Sequence, residues 1–371
     1  MRGRRDDQVT MLAFVDVEKR VPQDHPLRTI KALADQALTE LSPEFDRLYS
    51  KIGRPSIPPE RLLKSSLLIA LFSVRSERAF CEELDYNLLF RWFLDMGVFE
   101  SSFDVTVFTK NRQRLLDGRV GQQLFDEVVA AAHERGLLSD EHFSVDGTLI
   151  EAAASLKSFK PREDDGQDHK DDDDPGNPWV DFHGEKRRNA THESTTDPEA
   201  KLMRKGKGKE AKLVFMAHAL MEHRHGLLVD LQLSEATGTA ERDAVPGLLD
   251  GAEERYFKPK TLAADKGYDT LACVAEMRLR DVTPHVAQNI SRRRSAIDGR
   301  TTRHAGYRVS QRLRKRIEEI FGWMKTVGGF RRSRYWGIER TGLAGYLVGT
   351  AYNLVRLAKL WSQPAPSAVS A

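Results

Sequence analysis

The sequence predicts a mixed α+β chain: an all-helical N-terminal domain, then a mixed α/β sheet flanked by helices, with a long polar insertion after the first strand. Three observations predict it. Apolar residues recur at three- and four-residue steps almost continuously over residues 26–135. After His142 the pattern changes to short β-prone runs separated by helical segments, an alternation that builds a sheet with helices on its faces. Over residues 155–208, just after the first such run, periodicity disappears.

Taken in order, residues 1–25 read as a polar leader, with no apolar segment that would make a secretory signal. Leu27, Ile30, Leu33, Ala37 and Leu41 predict a helix over residues 26–41. Gly53-Arg54-Pro55-Ser56-Ile57-Pro58-Pro59 reads as a stiff turn, and Pro58 and Pro59 suit the start of a helix with Leu62, Leu63, Leu67, Leu68, Leu71 and Phe72 on its apolar face. Ser76-Glu77-Arg78 opens another helix, whose face takes in Phe80, Leu84, Leu88, Leu89, Trp92 and Phe93. Residues 106–116 form a short helix carrying Thr109, Lys110, Asn111, Arg112 and Arg114, and a further helix runs to about residue 135. The helical domain is thus residues 26–136. Its short helices and one basic, polar helix resemble a helix-turn-helix arrangement, in which Lys110, Arg112 and Arg114 would face DNA. The same pattern fits a packing domain whose polar helix faces water, and both readings stay open.

The second domain, residues 140–360, opens with Phe143-Ser144-Val145, read as a short strand ending in Asp146-Gly147-Thr148. Residues 155–210 read as a mobile charged insertion. Its stretch 163–174 holds eight acidic residues and one Lys, followed later by a basic run over 201–212. Lys205-Gly206-Lys207-Gly208-Lys209 has the residues that suit phosphate but not the strand-loop-helix frame of a P-loop. Residues 211–221 and 226–234 are strand-like and pair around Glu222-His223-Arg224-His225. His218, His223 and His225 have no carboxylate or thiol at metal spacing, so they read as structural or solvated. A helix over 241–249 has Thr239 as its N-cap. Thr261–Ala264 is a buried strand ending in Asp265-Lys266-Gly267-Tyr268, followed by a helix over 270–280 and a strand over 284–287. A basic linker over 291–308 leads to residues 312–325, read as one helix with Ile317, Ile320, Phe321 and Met324 as its apolar stripe. Beside that stripe lie Arg314, Glu318 and Lys325. Residues 343–355 suit a core helix and fall short of a membrane span. Residues 363–371 read as a disordered tail.

The net charge is only +3, but residues 291–334 hold 14 Lys/Arg against 3 Asp/Glu, a local +11 that leaves about −8 for the rest. Such a block points to a polyanionic partner. Cys81 and Cys273 lie far apart without metal spacing, which suggests buried thiols in a reducing compartment.

Asp146 and Asp265 each follow a strand, and sites in α/β sheets form at the carboxyl ends of strands. The helix carrying Glu318 is a late element that can cross the same cleft. Like charges ~4 Å apart cost ~4 kcal/mol per pair at an effective dielectric near 20. Hard divalent cations remove that cost, and Mg²⁺ combines a few carboxylates with water and phosphate oxygens. Two such ions ~3.5–4 Å apart suit in-line phosphoryl transfer, with Arg314 and Lys325 holding DNA phosphates nearby. The bland reading makes Asp146 and Asp265 turn or cap residues, and Glu318 half of a solvated ion pair with Arg314.

Phe143-Ser144-Val145-Asp146-Gly147-Thr148, Ala236-Thr237-Gly238-Thr239-Ala240-Glu241-Arg242-Asp243, Ala264-Asp265-Lys266-Gly267-Tyr268 and Arg314-x3-Glu318-x6-Lys325 resemble the DDE transposases of bacterial insertion sequences. The resemblance is greatest to the insertion-sequence-5-like group, whose last helix carries Tyr-x2-Arg-x3-Glu-x6-Lys. Gly53-Arg54-Pro55-Ser56 and Asn87-Leu88-Leu89-Phe90-Arg91-Trp92 are similar to that group's helical domain, so the resemblance spans residues 52–359. It departs at the Tyr position, which is Gln311. The resemblance implies an RNase H-like catalytic domain, with Asp146, Asp265 and Glu318 as catalytic and metal-binding triad for two Mg²⁺ ions, replaceable by Mn²⁺. It also implies DNA partners (terminal inverted repeats and target), a homo-oligomer, usually a dimer, and a cytoplasmic, nucleoid-associated bacterial protein. Glu319 is the rival third carboxylate, but it points ~100° away around the helix. An RNase H-like nuclease that never joins strands, and a silent DNA-binding regulator, are the alternatives.

Overall fold

The computed structural model describes residues 16–50, 52–53, 55–162, 180–182, 184–206, 208–291 and 293–361. Leader residues 1–15, the acidic run 163–174 and the tail 363–371 lie outside the described residues.

Inside the stretch 1–25 read as a polar leader, Asp16 Oδ1 accepts from the N–H groups of Glu18 and Lys19 and starts a helix, α1 (Val17–Arg20). Glu18 is also an acceptor for Trp92 Nε1 at 2.6 Å, so this turn is fixed to the helical core. The helices α2 (Pro26–Glu40), α3 (Ser42–Leu48), α4 (Pro59–Leu71), α5 (Glu77–Tyr86), α6 (Leu88–Phe93), α7 (Thr106–Asp117) and α8 (Val120–Glu134) follow. The helix expected from Ser76 through Phe93 is two helices. Asn87 breaks it, because its extended backbone ends α5 and its Oδ1 accepts from Leu89 and Phe90 N–H to start α6.

The strands are β1 (His142–Glu151), β2 (Phe159–Pro161), β3 (Val180–Phe182), β4 (Glu185–Arg187), β5 (His192–Ser194), β6 (Lys201–Arg204), β7 (Ala211–Glu222), β8 (Leu228–Glu235), β9 (Thr261–Ala264) and β10 (Thr283–Val286). The main sheet runs β10-β9-β1-β7, with β6 and β8 pairing successive stretches of β7. β10, β9 and β1 are parallel, and β1 and β8 flank β7 antiparallel. The order β8-β7-β1-β9-β10 is the RNase H-like mixed sheet. β7 is buried along nearly its whole length, as a central strand covered on both faces must be.

The insertion after β1 is not a loop throughout. Among its described residues β2 pairs β5, β3 pairs β4, and β6 joins the main sheet. Phe159 of β2 and Leu202 of β6 pack with Leu213 and Phe215 of β7 in a small core, and strands of three or four residues are too short to show a period.

Helices α9 (Ala240–Glu254), α10 (Leu271–Leu279), α11 (Gly299–Thr302), α12 (Ala305–Leu313), α13 (Ile317–Thr326) and α14 (Ile338–Trp361) complete the chain. α14 is the seam between the two regions: it packs on α2, α4 and α8 from one side and on β8 from the other. Asn353 within it accepts from Leu228 N–H at 2.9 Å and donates to Leu228 O at 2.8 Å, so it satisfies the outer edge of β8. One continuous core therefore runs from Leu27 and Leu63 through Phe125 and Leu354 to Phe143 and Leu231. Among the described residues no helix is long and apolar enough to cross a membrane.

Candidate active site

Asp146 is the fifth residue of the ten in β1, not the end of a short strand, because antiparallel pairing with β7 carries β1 on to Glu151. The strand that ends here is its other neighbour. β9 pairs parallel with β1 at His142↔Thr261, Phe143↔Leu262 and Ser144↔Ala263, then stops at Ala264. Two residues beyond the last pair on each strand stand Asp146 and Asp265, level with one another. Asp265 Oδ1 accepts from Gly267 N–H at 2.6 Å and caps the 3₁₀ turn Lys266–Tyr268. Its capping role and its place beside Asp146 therefore coexist.

Residues 312–325 are not one regular helix. α12 ends at Leu313, a 3₁₀ turn spans Arg314–Arg316, and α13 resumes at Ile317. The two pieces are anchored differently. Gln311 Nε2 donates to Ala264 O at 3.3 Å and to His285 O, and Ser310 bonds His285 Nδ1 at 2.8 Å, which fixes α12 to the ends of β9 and β10. α13 instead buries Ile317, Ile320, Phe321 and Met324. The backbone tightens between the two anchors. In consequence Arg314 Nε donates to Gln311 Oε1 at 3.0 Å, and among the described residues Arg314 forms no ion pair with Glu318. Glu318 is exposed, and its charge acts on Asp146. That of Glu319 acts on Tyr352, on the α14 side. Lys325 is half-buried and donates to Thr148 Oγ1 at 2.7 Å. Burial, with the cations of Lys205 and Arg331 nearby, lowers its ammonium pKa to about 8.

A fourth carboxylate stands here that the sequence reading left without a role. Glu241 is in the first turn of α9. A Cβ on Gly147 would lie 2.7 Å from Glu241 Cγ and 2.9 Å from its Oε1, so Gly147 is what admits this side chain. Burial, then the charges of Asp146 and Asp265, push the Glu241 carboxyl up to about 7. Asp146 is pushed up to about 6, chiefly by burial and also by Asp265 and Glu318, against the Gly147 N–H and the Arg314 guanidinium. Tyr268 is fully buried, and among the described residues its hydroxyl has no partner. The sequence offers Glu241 twice, at the start of a helix and inside the run 236–243 that carries part of the family resemblance, but neither signal alone places its carboxylate beside Asp146.

These side chains supply hard oxygen donors with crowded negative charge, which fits a divalent cation of the Mg²⁺ type. The arrangement is open rather than a closed cage: among the described residues no three His, Cys, Asp or Glu side chains form a ready metal group.

Of the cations expected on α7, Lys110 is exposed. Arg112 is turned inward: it is 17% exposed, donates to Glu77 Oε1 at 2.6 Å and stacks 4.4 Å from the Tyr335 ring centroid. Arg114 lies 4.4 Å from the Tyr49 ring centroid and donates to the buried Asn111 at 3.0 Å. His218 bonds Ser234, His223 bonds Ser144, and His225 bonds Leu137 O. Cys81 and Cys273 are buried free thiols.

Residues 138–354 match the family described as "Transposase DDE domain", and residues 15–114 match "Transposase domain (DUF772)". No curated protein matches the chain. Among solved structures it is similar to the Mos1 mariner paired end complex with Mn, at 12% identity over 88% of this chain and 84% of that one, with a TM-score of 0.26. It is also similar to a pre-cleavage Mos1 transpososome, at 11% identity over 91% of this chain and 98% of that one, with a TM-score of 0.21.

Proposed function

The chain belongs to the transposase DDE-domain family, and from that premise we propose that it is the transposase of a bacterial insertion sequence of the insertion-sequence-5-like group. It binds the terminal inverted repeats of its element through the helical region and the basic stretch 291–334, as a dimer on paired ends at the nucleoid. Asp146, Asp265 and Glu318 are the residues that would hold two Mg²⁺ ions, with Mn²⁺ able to substitute. When bound, such ions polarise the attacking and leaving oxygens of a phosphodiester.

The chain's own residues bind and orient. Arg314 and Lys325 hold phosphates beside the carboxylates, and Thr148 fixes the Lys325 ammonium. Water adds to phosphorus at the element's end, and the bond to the 3′-oxygen breaks to leave a 3′-hydroxyl. That hydroxyl then attacks a target phosphodiester, whose own 3′-oxygen departs with the proton.

What supports this reading most is the parallel register that sets Asp146 level with Asp265, with the Glu318 charge acting on the same carboxylate. The test is incubation with DNA carrying the inverted repeats that flank the coding region, Mg²⁺ and a supercoiled target. Joined products are expected. Cut ends that never join would make the protein a nuclease, and end binding without nicking would make it a regulator.

A further inference from the structure

We propose that Glu241 is a fourth carboxylate ligand of the cation site, reaching it from the face of the sheet opposite Glu318; the inference rests on the function proposed above. Successive residues of a strand point to opposite faces. Asp146 and Thr148 share one face, and Lys325 on α13 meets Thr148 there. Gly147 points the other way, toward α9.

With no side chain at 147, Glu241 comes within van der Waals reach of the β1 backbone beside Asp146. The start of α9 is also held to the Asp265 turn, since Arg242 Nη1 donates to Gly267 O at 3.4 Å. The strand that carries Asp146 and the turn that Asp265 caps therefore fix where Glu241 stands. Among the described residues no protein group donates a hydrogen bond to its carboxylate.

Acidic crowding alone would not identify a ligand. The second observation is Tyr268, which is 0% exposed with an unpartnered hydroxyl. The charges that bear on that hydroxyl are those of Glu241, Asp146 and Asp265, in that order. A buried donor left without an acceptor among three carboxylates marks a site completed when the carboxylates draw in around a cation.

The experiment measures Mn²⁺ binding to the DNA-free, full-length protein by the electron paramagnetic resonance of free Mn²⁺, which needs no catalysis. Glu241→Gln is expected to weaken binding by about tenfold or more, as Asp146→Asn does. Glu253→Gln, exposed on the same helix, leaves it unchanged. Gly147→Ala keeps every carboxylate but displaces Glu241, so it should weaken binding in the wild-type background and add little to Glu241→Gln. Melting without cation checks the fold of each variant. Wild-type affinity in Glu241→Gln and Gly147→Ala, with affinity lost in Asp146→Asn, overturns this inference and leaves the triad standing. Unchanged affinity in Asp146→Asn as well removes the cation site itself, and this inference with it.

Discussion

Lys325 Nζ donates to Thr148 Oγ1 at 2.7 Å, a bond between residues 177 apart in the chain that ties α13 to the strand carrying Asp146. Glu318 and Lys325 lie two turns apart on α13, so the same bond sets the face that Glu318 presents. The cations of Lys205, from the run whose residues suit phosphate, and Arg331, from the basic block 291–334, bear on this lysine.

Lys325→Ala is expected to weaken binding to element ends and to lower the salt slope of binding by about one. Burial first, then Lys205 and Arg331, hold the Lys325 pKa near 8, so it sheds its charge as pH rises through about 8. Affinity for DNA should fall over that interval in the wild type and stay level in Lys325→Arg, whose guanidinium remains charged. Titration of affinity against pH and salt checks both.

Arg112 and Lys110 should separate cleanly, although both lie on the helix that sequence suggested for DNA. Glu77 Oε1 accepts from Arg112 at 2.6 Å and from the Tyr335 hydroxyl at 2.9 Å, which joins the helical region to the segment before α14. Arg112→Ala should destabilise the fold by about 1–3 kcal/mol in denaturant titration, since it leaves Glu77 partly unpaired. Lys110→Ala should stay within about 0.5 kcal/mol of wild type.

The crowding around Asp146 has a signature in stability. Its carboxyl titrates near 3.8 when unfolded and near 6 when folded, chiefly through burial and then through the charges of Asp265 and Glu318. Over that interval the folded state holds the extra proton, so the contribution is full at low pH and is lost as pH rises through about 6. Asp146→Asn keeps the shape without the charge. Above about pH 7, without cation, it should be more stable than wild type by about 1–3 kcal/mol, and its melting temperature should change less between about pH 4 and pH 6.

Sequence made the sheet legible where strands were short, apolar and bounded by turns. Thr261–Ala264 and the 211–235 hairpin follow directly from such runs. What stayed hidden depended on partners distant in sequence. The break at Arg314–Arg316 arises because Gln311 and Ile317 answer to different neighbours. Arg112 looks solvent-facing until Glu77 and Tyr335 are brought to it. Glu241 carries meaning only through the missing side chain at Gly147. The level placement of Asp146 and Asp265 needed the parallel register, which a strand pattern alone does not specify.

In the proposed site Glu318, and not its neighbour Glu319, completes the carboxylate set with Asp146 and Asp265. Cleavage of an end-bearing DNA duplex in Mg²⁺ by Glu318→Gln and Glu319→Gln, with end binding measured alongside, tests it most directly. Glu318→Gln is expected to bind ends normally and cut nothing, while Glu319→Gln binds and cuts. Normal cutting by Glu318→Gln, or cutting abolished only in Glu319→Gln, would contradict it.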